Sequence, residues 1–152
     1  MIYFKKYEGL VPNTKRTLEK KVNIGTLLRG ITDSELFNQC LELSEYQKLN
    51  FWDLGKTASE HISLDDTIYI MTLKDIYIGK ILHHIHDNSG KLGDLLQWTK
   101  IHNALWINVI SFKRVSHLFN SASRESTLKS VLAQAQNLGH DFYRLDERIK
   151  FS

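Results

Sequence analysis

Apolar positions between residues 32 and 46 return every three or four places. Leu36, Phe37, Cys40, Leu41 and Leu43 form one stripe, which predicts an amphipathic helix. Thr32 and Glu35 have the spacing of a capping box at its start. The period then changes. Residues 67–73 (TIYIMTL) and 76–82 (IYIGKIL) are rich in β-branched and aromatic side chains and are separated by Lys74 and Asp75 alone, the pattern of two strands joined by a tight hairpin. Gly79 inside the second run predicts a bulge or a close approach by another group. A third strand is predicted over 105–112. It places Trp106, Asn108, Ile110 and Phe112 on one face and Ile107, Val109 and Ser111 on the other. Both faces are largely apolar, as expected for a strand between a barrel interior and a covering helix. Helical spacing returns over 123–138, where Leu128, Val131, Leu132 and Ala135 share a stripe and Gly139 is placed to end it. Residues 141–152 show no clear period and are assigned no element.

Composition narrows the class. With 152 residues and 42% apolar side chains, the chain can bury one ordinary core and is not a disordered segment. Its one cysteine, Cys40, excludes an internal disulfide and a cysteine-built zinc site, and its place on the apolar stripe makes it a small core residue. No apolar run is long enough to span a bilayer and no signal-peptide core follows Met1, so a cytoplasmic protein without membrane contact is expected. The net charge of +3 is unevenly spread. Residues 51–99 carry four lysines against seven acids, whereas residues 100–130 carry Lys100, Lys113, Arg114, Arg124 and Lys129 against Glu125. A basic face is therefore expected to draw on the later segment, helped by Lys15, Arg16, Lys20, Lys21 and Arg29.

Catalytic chemistry finds little support. His83, His84, His86 and Asp87 form the most metal-like run, with His102 or His117 as a distant third ligand, but the spacing matches no closed zinc motif. No glycine-flanked serine, phosphate-binding glycine loop or run of acids at a strand end is present. Asp65 and Asp66 are adjacent and read as capping the turn into the strand at 67. The tryptophans are more informative. Trp106 sits in a strand centre, Trp52 at a segment end before a polar stretch, and Trp98 in a loop-like stretch, where an aromatic ring is more often open to a ligand. Periodicity alone favours core packing over ligand contact for Trp52.

These features, in this order, resemble the EVE and YTH-like branch of the PUA-like superfamily. The resemblance rests on Phe51-Trp52-Asp53-Leu54, on Ser63-Leu64-Asp65-Asp66 leading into Tyr69-Ile70-Met71, and on Ile76-Tyr77-Ile78-Gly79. It continues through a variable loop carrying Trp98 and closes with 106–112 (WINVISF) followed by Lys113, Arg114 and Val115. The leader over 16–30 also resembles the start of bacterial modification-dependent restriction proteins that carry such a domain ahead of a nuclease or motor domain.

The resemblance implies an α+β fold: a small, strongly curved PUA-like β-barrel flanked by helices, with a C-terminal helix. Residues 1–48 would form a leader and helix packed on the barrel, 49–118 the barrel core, and 119–152 the terminal helix and tail, all in one compact domain. It also implies a pocket that takes a modified base, methylated or hydroxymethylated, flipped out of double-stranded DNA and held between aromatic rings. Trp52 matches the first cage aromatic and Trp98 the second, with Asp53, Leu54 and Asn103 near the base edge and Lys56, Lys100, Lys113 and Arg114 on phosphates. Trp106 matches a strand position that supports the barrel. No cofactor or metal is implied. No nuclease pattern follows, so the chain is expected to be a non-enzymatic recognition module, with any nuclease or motor in another domain or subunit. An RNA-binding domain of the same superfamily and a protein-interaction domain without a nucleic-acid pocket are the alternatives.

Overall fold

The computed structural model describes residues 1–7, 12–53, 55–87, 89–98, 105–118 and 120–146. The strands are β1 (Ile2–Lys6), β2 (Val22–Asn23), β3 (Lys48–Asp53), β4 (Thr67–Met71), β5 (Asp75–Asp87), β6 (Leu105–His117), β7 (Gln136–Gly139) and β8 (Phe142–Leu145). The helices are α1 (Pro12–Glu19), α2 (Ile24–Gly30), α3 (Ser34–Leu41), α4 (Gly55–His61), α5 (Lys91–Leu95) and α6 (Ser121–Leu132), and a 3-10 turn at Glu42–Glu45 follows α3. All eight strands join one sheet in the order β2-β3-β6-β5-β4-β1-β8-β7. Neighbours run antiparallel except β1 and β4, which are parallel. Among the described residues the end strands β2 and β7 do not pair with each other. The mixed α+β class is as expected, whereas the expected small, strongly curved barrel does not close among the described residues.

The predicted hairpin is β4 and β5, with register Met71 opposite Ile76 and Thr67 opposite Lys80. β5 runs on through the histidines to Asp87, and its pairing with β6 shifts register at Ile76/Tyr77 and again at Ile81/His83. Such irregularities bend a strand pair and increase its twist. Neither falls at Gly79. There the need is close approach: a Cβ would overlap Ile110 Cγ2 and lie 2.7 Å from Phe112 Cδ1 and Cε1. Gly79→Ala is therefore expected to destabilise the fold by about 1–3 kcal/mol, the usual range for overpacking a filled core. A denaturant titration at unchanged slope checks it; an unshifted midpoint would show that β6 can move aside.

Helix α3 starts one residue later than the capping-box spacing predicts. Asp33, not Thr32, is the cap, its Oδ1 accepting from Leu36 N at 2.9 Å. The predicted helix over 123–138 ends at Leu132, and its last residues belong to β7 instead. Phe142 to Leu145, without a readable period, form β8, which pairs with both β1 and β7.

The apolar side chains divide into three clusters. Leu49 and Phe51 of β3 join Ile24, Leu27, Leu36, Cys40, Ile85, Leu92 and Trp98 beneath α2, α3 and α5. Trp52, one position on, joins Tyr3, Ile68, Ile70, Ile81, Ile110, Phe112 and Phe142, the strand-built cluster. Phe4, Met71, Ile76, Val131 and Tyr143 pack the α6 end. Cys40 is fully buried, and burial, helped by the Asp87 charge, pushes its thiol up to about 11. A thiol so protonated is an inert core group.

Candidate nucleic-acid interface

Helix α1 opens on proline, whose fixed backbone suits a first helical turn. The helix is moored from below by Asn50, a buried side chain of β3. Asn50 Nδ2 donates to the Thr17 carbonyl, and its Oδ1 accepts from Phe112 N at 3.0 Å, which ties α1, β3 and β6 together. Arg16 and Lys20 are thereby held at the C-terminal end of α1, where the helix dipole favours cations. Asn23 then caps α2 by accepting from Thr26 N at 2.9 Å. Pairing of Asn23 with Lys48 brings a further cation from β3 to the same place.

Trp98 is positioned by a second chain of bonds. Asp87 is buried at the end of β5 and accepts from Ser89 N (3.0 Å), Ser89 Oγ (2.6 Å) and Leu92 N (2.8 Å), which shapes the polar turn into α5. Gly90 takes a positive φ of 74° there, the conformation glycine adopts without cost. Trp98 N then closes on Gly93 O at 3.0 Å, and Arg16 donates to the Gln97 carbonyl.

Between these two supports lies a cavity of about 620 Å³, well within the usual range for ligand sites. Phe51, Leu27, Leu96 and Trp98 supply its apolar wall. Asn23, Thr26 and Gln97 supply hydrogen-bonding groups, and Arg16, Lys20, Lys21 and Lys48 line it as well. Among the described residues no acid lines it. Four cations on a lining that, among the described residues, holds no acid focus a positive potential into the cavity, which raises the local concentration of an anionic ligand.

The other sequence-predicted residues fall as follows. Trp52 is 4% exposed, its Nε1 donates to Tyr7 Oη at 2.9 Å, and its ring meets Tyr7 and Phe112 edge-on. Because strand neighbours point to opposite faces, Phe51 reaches the cavity and Trp52 the strand-built cluster. The structure does not bring Trp52 and Trp98 together. Asp53 accepts from Gly55 N at 2.9 Å at the turn into α4. Leu54, Lys100 and Asn103 lie outside the described residues, as does the side chain of Lys56. Lys113 is exposed on β6, and Arg114 lies 3.8 Å from Asp75, beside His117 at 2.5 Å from the same carboxylate. Arg124 turns inward, donating to Tyr7 O at 2.8 Å and Thr72 O at 3.3 Å. The basic surface around the cavity is thus built from the early segment and Lys48, not from residues 100–130. Lys48 and Phe51 were missed by sequence reasoning. Their signal was the alternation of β3, which gives no sign of which face meets the helices.

The histidine run serves the packing of α3 on β5. His83 Nε2 donates to Gln39 O at 2.9 Å, and Gln39 in turn bonds the backbone of His86 in both directions at 2.9 Å. Burial, then the neighbouring His83, lowers the pKa of His84. Among the described residues no three His, Cys, Asp or Glu side chains are placed to hold a metal ion. No helix among them is long and apolar enough to cross a membrane.

No protein-family model matches the chain, and no curated protein matches it either. A solved structure shares its fold. The N-terminal domain of Thermococcus gammatolerans McrB, bound to m5C DNA, superposes with a TM-score of 0.56 over 96% of this chain and 90% of that one, at 15% identity. The likeness is one of fold, and it spans nearly the whole of both chains.

Proposed function

We propose that this protein binds DNA carrying a modified base and serves as the recognition module of a modification-dependent restriction system. The observation that carries the reading is the cavity in which the Trp98 and Phe51 side chains share a wall with four cations and, among the described residues, no acid. The fold shared with a domain solved on m5C DNA supports it, as does the EVE and YTH-like pattern of the sequence. In this reading a base leaves the duplex and enters the cavity. Extraction costs a few kcal/mol, and stacking on an aromatic face returns roughly 1–3 kcal/mol. Neutralised phosphates supply the remainder. A methyl group on the base covers the apolar wall, while Asn23, Thr26 and Gln97 are the polar groups within reach of its edge. The nuclease or motor that acts on the bound DNA is a further domain or subunit.

The test is a set of duplexes that differ only at one cytosine or adenine, compared by anisotropy at a single stated salt, with a matched RNA as competitor. One methyl group in an apolar slot is worth about 1–3 kcal/mol, so a preference of about tenfold or more over the unmodified duplex is expected. Equal affinity across the set would overturn the reading. Tight competition by RNA would move it to the RNA-binding alternative. Quenching of Trp98 emission in a Trp52→Phe/Trp106→Phe background, where Trp98 is the one indole left, places the base in this cavity. Quenching of Trp52 alone, in a Trp98→Phe/Trp106→Phe background, would place it instead at the Tyr7–Trp52 end of the strands.

A further inference from the structure

Lys21 lines not one hollow but two. The second, of about 390 Å³, lies over the outer face of β4, β5 and β6 and is lined also by Thr67, Lys80, Ser111 and Lys113. The sheet register explains why these residues stand together. Thr67, Lys80 and Ser111 are direct cross-strand partners in one row, and Ile78 with Lys113 forms the next row on the same face. Gly79 and Ile81 of β5 alternate with them, Ile81 entering the strand-built cluster, so this face is left to solvent and Lys80 and Lys113 are both exposed. No acid lines this hollow among the described residues. At its margin Lys80 pairs with Asp65 at 3.7 Å, the two side chains 58% and 83% exposed. An exposed pair of that kind contributes at most about 1 kcal/mol and is readily given up to a stronger anion.

We infer that this hollow is a phosphate track: the backbone of the DNA strand leaving the cavity passes Lys21 and runs across β4–β6, contacting Lys80 and Lys113, with the Thr67 and Ser111 hydroxyls as neutral donors. The inference rests on the DNA-binding reading above and adds to it a direction for the bound strand. Contacts of this kind fix register and contribute affinity without reading sequence. They therefore leave a signature separable from base recognition.

The experiment compares the wild-type chain with Lys80→Gln/Lys113→Gln on a long duplex carrying m5C and on its unmodified twin, over a salt series. Lys74→Gln/Lys129→Gln, exposed lysines away from both hollows, is the control of equal charge change. The track variant should lose more than about tenfold in affinity at 0.1 M salt, and its salt slope should fall by about 2, while its preference for m5C stays that of the wild type. An unchanged slope overturns the track and leaves the cavity reading standing. An equal loss in the control overturns it too, since the effect would then be one of overall charge. Loss of the m5C preference in the track variant also overturns it, by placing these lysines at the base. A wild-type chain without any m5C preference instead removes the reading on which the track rests.

Discussion

Trp52→Ala will cost about 3–5 kcal/mol of folding stability, the range for deleting a buried large aromatic side chain. The side chain is 4% exposed and stands at the centre of an aromatic group, 6.4 Å from the Tyr7 ring and 6.5 Å from that of Phe112, with interplanar angles of 69° and 71°. Edge-to-face geometry of this kind adds to the transfer term. The truncation also strips Tyr7 Oη of the indole donor that reaches it from 2.9 Å. In a chain of this length the loss corresponds to a melting point lower by about 10 °C or more. Trp52→Phe keeps most of the volume and should cost far less. The pair of variants separates packing from recognition. With Trp52→Phe folded, an m5C preference equal to the wild type's assigns Trp52 to support, whereas a folded variant that has lost the preference puts the indole against the base. A Trp52→Ala protein less than about 1 kcal/mol weaker than wild type would contradict the packing described here.

Legibility in the sequence followed the range of the forces involved. The β4–β5 hairpin was readable because two β-branched runs and a short connection act locally, and α3 because its stripe and caps do. The choice of Asp33 over Thr32 as cap was not, since adjacent residues of equal capping ability differ only in the entry angle of the chain. Gln136–Gly139 has little strand propensity of its own and reads as the tail of a helix. It becomes β7 because β8 offers it a ladder, and β8 in turn exists because it lies against β1. β1 itself pairs with β4 across more than sixty residues of sequence, a contact that no window of periodicity samples. The site divides the same way. Trp98 was marked by its place in a loop, and the structure sets it in the wall of the cavity. Phe51 and Trp52 are neighbours on one strand, and a period of two states that they face opposite ways without stating which layer lies on which side. The cations suffered a related loss. Arg16, Lys20 and Lys21 meet Lys48 only because β2 pairs with β3, so a charge sum along the chain directed attention to residues 100–130, where Arg124 is spent on backbone carbonyls.

The same cations set the second large effect, a steep fall in DNA affinity with salt. Each phosphate neutralised releases condensed counterions, giving a slope of log affinity against log salt near −0.9 per contact. Four contacts from Arg16, Lys20, Lys21 and Lys48 predict about −3.6, and two more from Lys80 and Lys113 about −5.4. Between 50 and 200 mM salt these slopes correspond to losses of roughly 10² and 10³. Lys20 and Lys48 are exposed at the cavity rim, so Lys20→Ala/Lys48→Ala should leave the fold intact while lowering the slope by about 2. Its effect on m5C and unmodified duplexes should be equal, since a charge on the rim attracts phosphate whatever base is inserted. The wall behaves in the opposite sense: Phe51 and Trp98 are 1% and 8% exposed, so truncation would cost stability as at Trp52, but a folded Trp98→Phe variant should erode the m5C preference and leave the slope alone. A wild-type slope shallower than about −2 would mean that fewer than three of the four cations meet phosphate, and the cavity could not then be where the duplex lies. The two quantities together, slope and preference, assign each side of the cavity to one half of the binding energy.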